Sequence, residues 1–289
     1  MRFTNIFLGA TALAVSVVAA PTPNMAKNTA DVLNYALTLE HLESEFYKQG
    51  LAKFDASAFT DAGFDPLVRE RFIHIGEHEN DHVSILTSVL ESMKAKPVPA
   101  CEYNFPMDNV AQFLTVAQAL ENTGVSAYLG AASKLNGDLL TAAASITTVE
   151  ARHAAYLNEL MKQLGFPYSF DTPLGSREIV TVASNFIKSC PYDLGVKPFT
   201  QLSAALPTDS SNKVMTSFTG HGSNSRSTFC QFLYGNKVSV SPRNTCVLPA
   251  DALGYVFVLV TSNDTPVTLK NDKNVLAGPA LLFNGNHSQ

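Results

Sequence analysis

Beyond its first twenty positions the sequence has no run of about 18 apolar residues, the length needed to cross a bilayer, so nothing in it reads as a transmembrane anchor. It also lacks basic runs. Its 20 Lys and Arg are outnumbered by 25 Asp and Glu, a formal net charge of -5, which removes the electrostatic footprint of a nucleic-acid or anionic-membrane binder. Cysteine is scarce: Cys101, Cys190, Cys230 and Cys246 lie at spacings that match neither a zinc ribbon nor a CxxC redox motif. A Ser-His-Asp order, a phosphate-cradling glycine loop and a flavin fingerprint are missing as well. What is present is ample apolar material, 46% of 289 residues, enough for a sizeable core in one or two domains.

The first twenty residues set the expected compartment. Arg2 supplies a positive start, Ile6 to Val18 an apolar stretch, and Ala19-Ala20 a pair of small residues ahead of Pro21 and Pro23. This is the pattern of a secretory signal peptide, and the expected location is extracellular or at the cell surface. An oxidising compartment allows two disulfides from an even cysteine count. Of three connectivities, Cys101 with Cys190 and Cys230 with Cys246 is the one expected, the second pair bracketing a hairpin at Tyr234-Gly-Asn-Lys-Val238. Asn263-Asp-Thr265 and Asn286-His-Ser288 are N-glycosylation sequons.

From Asn28 to about Leu164 apolar residues recur at helical spacing in four blocks, which predicts four long helices. The first starts at a cap on Asn28 or Thr29 and runs to Gly50. After a connector, residues 51 to 64, the second has Asp65 as cap and Pro66 at its first position, and it ends before Lys96-Pro97. The third runs from beyond Asp108 to about Ala132, and the fourth from near Asp138 to Gly165. A fifth, capped by Ser176, is expected over Arg177 to Lys188. After Cys190-Pro191 the pattern changes to short β-prone runs, Phe232–Tyr234, Val238–Val240, Tyr255–Val260, Val267–Leu269 and Ala280–Phe283, separated by turn residues. The expected fold is therefore mainly α: a signal peptide at 1–20, a four-helix bundle with an extra helix at 21–194, and a small, sandwich-like all-β module at 195–289.

The chemistry lies in the helices. The second carries Glu79-Asn-Asp-His82 and the fourth Glu150-Ala-Arg-His153, each a Glu-x-x-His whose carboxylate and imidazole share one helical face. The first and third carry Glu40 and Glu121, each followed seven residues on by a tyrosine, Tyr47 and Tyr128. The order Glu, Glu-x-x-His, Glu, Glu-x-x-His is a helical hairpin repeated twice. Its offsets, 81 for the Glu pair and 71 for the Glu-x-x-His pair, place the extra residues in the connector that contains Phe54 to Phe64. One Glu-x-x-His arises readily by chance; two of them with two correctly placed Glu is the ligand order of ferritin-like carboxylate bundles. Four carboxylates facing a core cost several kcal/mol or more unless neutralised, and two divalent metal ions would neutralise them. Oxygen-rich sites with one imidazole per metal suit Fe or Mn, each ion taking one His and one terminal Glu while two carboxylates bridge. Dioxygen or peroxide is then the expected small-molecule partner, and no catalytic residue beyond the ligands can be named.

The same stretches resemble a known family. Leu37-Thr-Leu-Glu-His-Leu-Glu-Ser-Glu-Phe-Tyr47, Cys101-Glu-Tyr-Asn-Phe-Pro106 and Thr148-Val-Glu-Ala-Arg-His153 are similar to the secreted ferritin-like proteins of fungi, called stress-response protein Rds1 or late sexual development protein, and to plant desiccation-related proteins. The resemblance covers roughly residues 28 to 200. It implies a ferritin-like fold, the ligand set Glu40, Glu79, His82, Glu121, Glu150 and His153, and a link to stress or development; it implies no established reaction.

Two other readings compete. His78-Glu79-Asn-Asp-His82 matches the H-E-x-x-H of zinc metalloproteases, but no G-x-x-H continuation follows, Asp81 is charged, and the second Glu-x-x-His is left unexplained. The other is a non-catalytic bundle whose β module meets a cell-wall or protein partner, since ferritin-like folds host inert roles too. Glu43 shares the face of Glu40 and Tyr47, as an extra carboxylate of the site or as a solvated surface residue. His74 and His78 read as surface or bundle-end histidines, and Tyr47 and Tyr128 as core packers.

Overall fold

The computed structural model describes residues 23–207, 211–225 and 227–285; the expected signal peptide and the sequon at Asn286 lie outside them. The described residues hold six helices: α1 (Pro23–Lys53), α2 (Ala56–Asp61), α3 (Pro66–Ser92), α4 (Val110–Ala132), α5 (Gly137–Leu160) and α6 (Ser176–Ala183). The hairpins α1/α3 and α4/α5 form the bundle. Local chemistry fixes their starts. Asp65 accepts from Leu67 N ahead of Pro66, and Asn109 accepts from Gln112 N at 2.9 Å, so a side-chain oxygen satisfies an otherwise orphaned N–H at each helix start.

Several expected boundaries shift, among them the end of α5, at Leu160 and short of Gly165. Helix α1 begins at Pro23, ahead of the Asn28 cap, and passes through Gly50 to Lys53. Gly50 is a packing residue: a Cβ there would lie 2.1 Å from Cε2 of Phe113, so only glycine lets α4 come this close. The connector 51–64 takes up the end of α1 and then α2, whose Phe59 is fully buried, 5.8 Å ring to ring from Phe72 and 6.3 Å from Phe113. Helix α6 stops at Ala183 instead of Lys188, because residues 187–189 are pulled into a strand beside the Cys101–Cys190 disulfide.

The strands are β1 (Glu102–Tyr103), β2 (Ile187–Ser189), β3 (Ser203–Ala205), β4 (Met215–Ser217), β5 (Phe229–Tyr234), β6 (Lys237–Pro242), β7 (Gly254–Thr261) and β8 (Val275–Asn284). All named pairs are antiparallel: ribbons β1/β2 and β3/β4, and a four-stranded sheet in the order β6-β5-β7-β8. Gly235-Asn236 turns the β5/β6 hairpin, with Gly235 at φ +54°, and Cys230–Cys246 closes it, as the spacing suggested. The run 267–269 forms no named strand, while β8 starts at Val275, upstream of Ala280.

β7 is buried along its whole length, which is why Tyr255–Val260 reads as a continuous apolar run. One face of the sheet (Phe232, Val256, Val258, Val260) packs on Leu202, Val214 and Leu248. The other (Leu233, Tyr255, Phe257, Leu259) packs on Ala127, Leu174 and Ile179 of the helical part, so sheet and helices share one core. Within the bundle, an aromatic cluster around Phe46, Phe72 and Phe113 fills one end, and Leu33, Leu37, Leu86 and Leu90 the other. Between these apolar layers sit the charged residues.

Candidate metal centre

Glu40, Glu79, Glu121 and Glu150 have no solvent-exposed surface, and His82 and His153 are buried with them. The helical repeat that aligned them in sequence delivers them to one point. Nδ1 of His82 lies 3.2 Å from Glu40 Oε2, 3.1 Å from Glu79 Oε2 and 3.2 Å from Glu150 Oε1. Nδ1 of His153 lies 3.1 Å from both Glu79 Oε1 and Glu121 Oε2. Ligand-type atoms fall within 4.8 Å of one another in two sets: Glu40, Glu79, His82 and Glu150, then Glu79, Glu121, Glu150 and His153. Glu79 and Glu150 are common to both.

The tyrosines do more than pack. Tyr47, on α1, donates to Glu121 Oε1 of α4 at 2.5 Å, and Tyr128, on α4, donates to Glu40 Oε1 of α1. Each hairpin thus orients the terminal carboxylate of the other. Glu43 is buried as well, which settles its ambiguity against a solvated role, yet it belongs to neither ligand set. Gly124 on α4 explains how Glu43 and Glu150 fit: a Cβ there would stand 2.9 Å from Glu150 Oε2 and 3.1 Å from Glu43 Oε1. Sequence reasoning also missed a buried amide network, in which Gln118 and Asn122 donate to Asn158 Oδ1 at 3.0 and 2.9 Å and tie α4 to α5. Nothing in the helical spacing distinguishes those amides from surface residues.

The electrostatics describe an acidic pocket short of positive charge. Burial pushes the Glu40 carboxyl up to about 7 against the pull of His82. Burial, then repulsion from Glu79 and Glu121, holds Glu150 well above the ordinary carboxylate range; burial and Glu150 do the same to Glu43. Burial would raise Glu79 too, but the facing imidazoles of His153 and His82 prevail and hold it at about 2. Burial works against protonation of His153, yet Glu121 and Glu79 lift it to about 9. Glu40 Oε2, Glu79 Oε1 and both Glu150 oxygens are buried without a hydrogen-bond partner. A single Nδ1–H cannot satisfy three converging oxygens, whereas divalent cations accept several carboxylate oxygens and an imidazole at once. The donor set fits divalent metal ions.

The H-E-x-x-H reading does not survive this geometry. His78 joins neither ligand set; its Nδ1 instead meets Nε2 of His153 at 2.9 Å. His74 is exposed and pairs with Glu77 at 3.0 Å, as a surface histidine should. Among the described residues no helix is long and apolar enough to cross a membrane, and no cysteine is free.

Comparison with known proteins agrees with the architecture. The ferritin-like domain family matches residues 28–163. Protein rds1 of Schizosaccharomyces pombe is 29% identical over 163 residues, 56% of this chain; the match takes in 40% of that relative's length. A conserved hypothetical protein from Mycobacterium tuberculosis, rv2844, has a crystal structure covering 46% of this chain and 91% of its own, at 21% identity and a TM-score of 0.38, a likeness too slight to bear on fold or function. With its doubled Glu and Glu-x-x-His hairpins, the helical part of this chain carries a ferritin-like domain over residues 28–163 and is similar to the Rds1 protein of fission yeast.

Proposed function

We propose that this is a secreted ferritin-like protein with a dinuclear carboxylate centre for Fe or Mn, serving a stress or developmental response with dioxygen or peroxide as its small-molecule partner. The observation that carries it is the pair of buried ligand sets sharing Glu79 and Glu150, with oxygens left unpartnered. Glu40 and His82 would hold one ion, Glu121 and His153 the other, and Glu79 and Glu150 would serve both. Redox-active ions bound there would supply electrons to dioxygen or peroxide, with oxidation of Fe(II) as the minimal activity. The chain's own part is to keep the carboxylates converged and buried. Tyr47 and Tyr128 fix the terminal carboxylates, and the aromatic layer around Phe46, Phe72 and Phe113 excludes water from one end.

Secretion is supported by the leader pattern of residues 1–20 and by two disulfides. The association with stress or development rests on the resemblance to the fungal family. Metal analysis of the purified protein tests the centre: about two ions per chain are expected, falling to none in a Glu79→Ala, Glu150→Ala double variant. Undiminished stoichiometry in that variant would remove the assignment. A metal-free protein indifferent to Fe(II) would favour the non-catalytic scaffold.

A further inference from the structure

A cleft of about 460 Å³ opens between α3 and α5, and its floor is formed by His82 and His153, the two imidazoles of the candidate centre. Arg71 and Arg152 line it, and neither guanidinium forms an ion pair or hydrogen bond with the described residues. In a chain of net charge -5 that is an uncommon concentration of unused positive charge. The Arg71 guanidinium lies 5.3 Å from the centre of the Tyr156 ring, which holds it to the wall of the cleft. The Tyr156 hydroxyl is buried in the same wall and has no hydrogen-bond partner. Of the other charged lining groups, His74 is taken up by Glu77, and Asp81 is a single carboxylate against two guanidinium groups.

His78 completes the donor set. Its ring and that of His153 are within 8° of one plane, with centroids 5.2 Å apart and nitrogens 2.9 Å apart. The centroid separation is close to the nitrogen separation plus one ring radius at each end, so the rings meet edge to edge in a hydrogen bond instead of stacking. With a cation at His153 Nδ1, the ring hydrogen of His153 sits on Nε2 and is donated to His78 Nδ1. The hydrogen of His78 is then on its Nε2, at the ring edge away from His153. Donors therefore predominate in the cleft.

We propose that this cleft binds a small tetrahedral oxyanion of the phosphate type beside His153, through Arg71, Arg152, the Tyr156 hydroxyl and His78. Planar guanidinium forks match such oxyanions, and none of the four donor residues is among the six candidate metal ligands, of which His82 and His153 form the floor of the cleft. Only the placement of the hydrogen on His78 rests on the metal reading of the previous subsection.

Isothermal titration with inorganic phosphate, on metal-free and Mn(II)-loaded protein, tests the proposal. Binding is expected in both forms, weakened at least tenfold in an Arg71→Ala, Arg152→Ala double variant and several-fold in Tyr156→Phe. Both arginines are exposed, so their replacement leaves the core intact. Metal stoichiometry should be unchanged in these variants, which keeps this test apart from that of the centre. A parallel titration with phenyl phosphate separates the sources: tighter binding indicates a phosphate monoester, and equal binding the free anion. Wild-type affinity in the double arginine variant would overturn the proposal. So would binding to the loaded form alone, since the anion would then sit on the metal.

Discussion

Tyr47 and Tyr128 show how single residues set the candidate centre. Each hydroxyl satisfies the Oε1 oxygen of a buried carboxylate whose other oxygen faces an imidazole, so Tyr128→Phe should cost about 1–3 kcal/mol and lower metal affinity roughly 10–100-fold. Metal titration beside thermal unfolding checks it, and a variant with wild-type affinity would reduce Tyr128 to a packing role. Far from the centre, Glu178 on α6 makes a different prediction. Burial, then repulsion from Asp272, lifts its carboxyl from 4.5 to about 7. An acid held above its unfolded value binds its proton more tightly in the folded state. Stability should therefore be highest below about pH 4.5 with respect to this group, and should fall as pH rises to about 7. Glu178→Gln should abolish that slope and stabilise the protein at pH 8 by on the order of 1–3 kcal/mol. Urea unfolding of both proteins at pH 5 and 8 is the measurement; identical slopes would refute the assignment.

At the scale of elements, the connector between the first two long helices behaves as a plug. Helix α2 inserts Phe59 among Phe72 and Phe113, an insertion for which the second hairpin, with its short turn before Gly137, has no equivalent. Phe59→Ala should leave a cavity costing about 3–5 kcal/mol while keeping the metal ligands in place. A loss below 1 kcal/mol would mean that the end of the bundle collapses to fill the gap. The Cys101–Cys190 disulfide staples the β1/β2 ribbon across a loop that contains α4, α5 and α6. Replacing both cysteines by serine should destabilise the fold by about 2–5 kcal/mol. The Cys230–Cys246 pair closes a far shorter loop, and its removal should cost less, by the same unfolding assay.

For the whole molecule, the shared core between the sheet and the helical part decides how independent the two parts are. Leu174, Ile179 and Ala127 are covered by Phe257, Leu259 and Tyr255, so a chain ending at residue 194 would expose an apolar face on the bundle. Such a truncation is expected to aggregate or to unfold at a clearly lower temperature than the full chain. A soluble 21–194 fragment with the full-length melting temperature would show that the sheet is an appendage.

Periodicity and spacing alone determined the four long helices, the two-hairpin repeat and the six residues that converge at the centre, while of three possible disulfide connectivities the expected one is the one observed. A heptad-scale pattern fixes which face of a helix is buried, and the doubled Glu-x-x-His fixed the register between hairpins. Tertiary structure decided the rest. Gly50 looks like a stop signal along the chain, because a glycine's backbone freedom is visible in sequence and the aromatic ring pressed against it is not. His78 is exposed, as a surface histidine should be, but its contact with His153 was hidden because that partner lies on another helix. Glu43 could not be told from a solvated glutamate, since burial on a helix flank depends on the neighbour, here Gly124 of α4, that comes close enough to cover it. The sheet's place against α6 and α4 was likewise hidden: each strand advertises its own apolar faces, and only the packed molecule decides which surface each one meets.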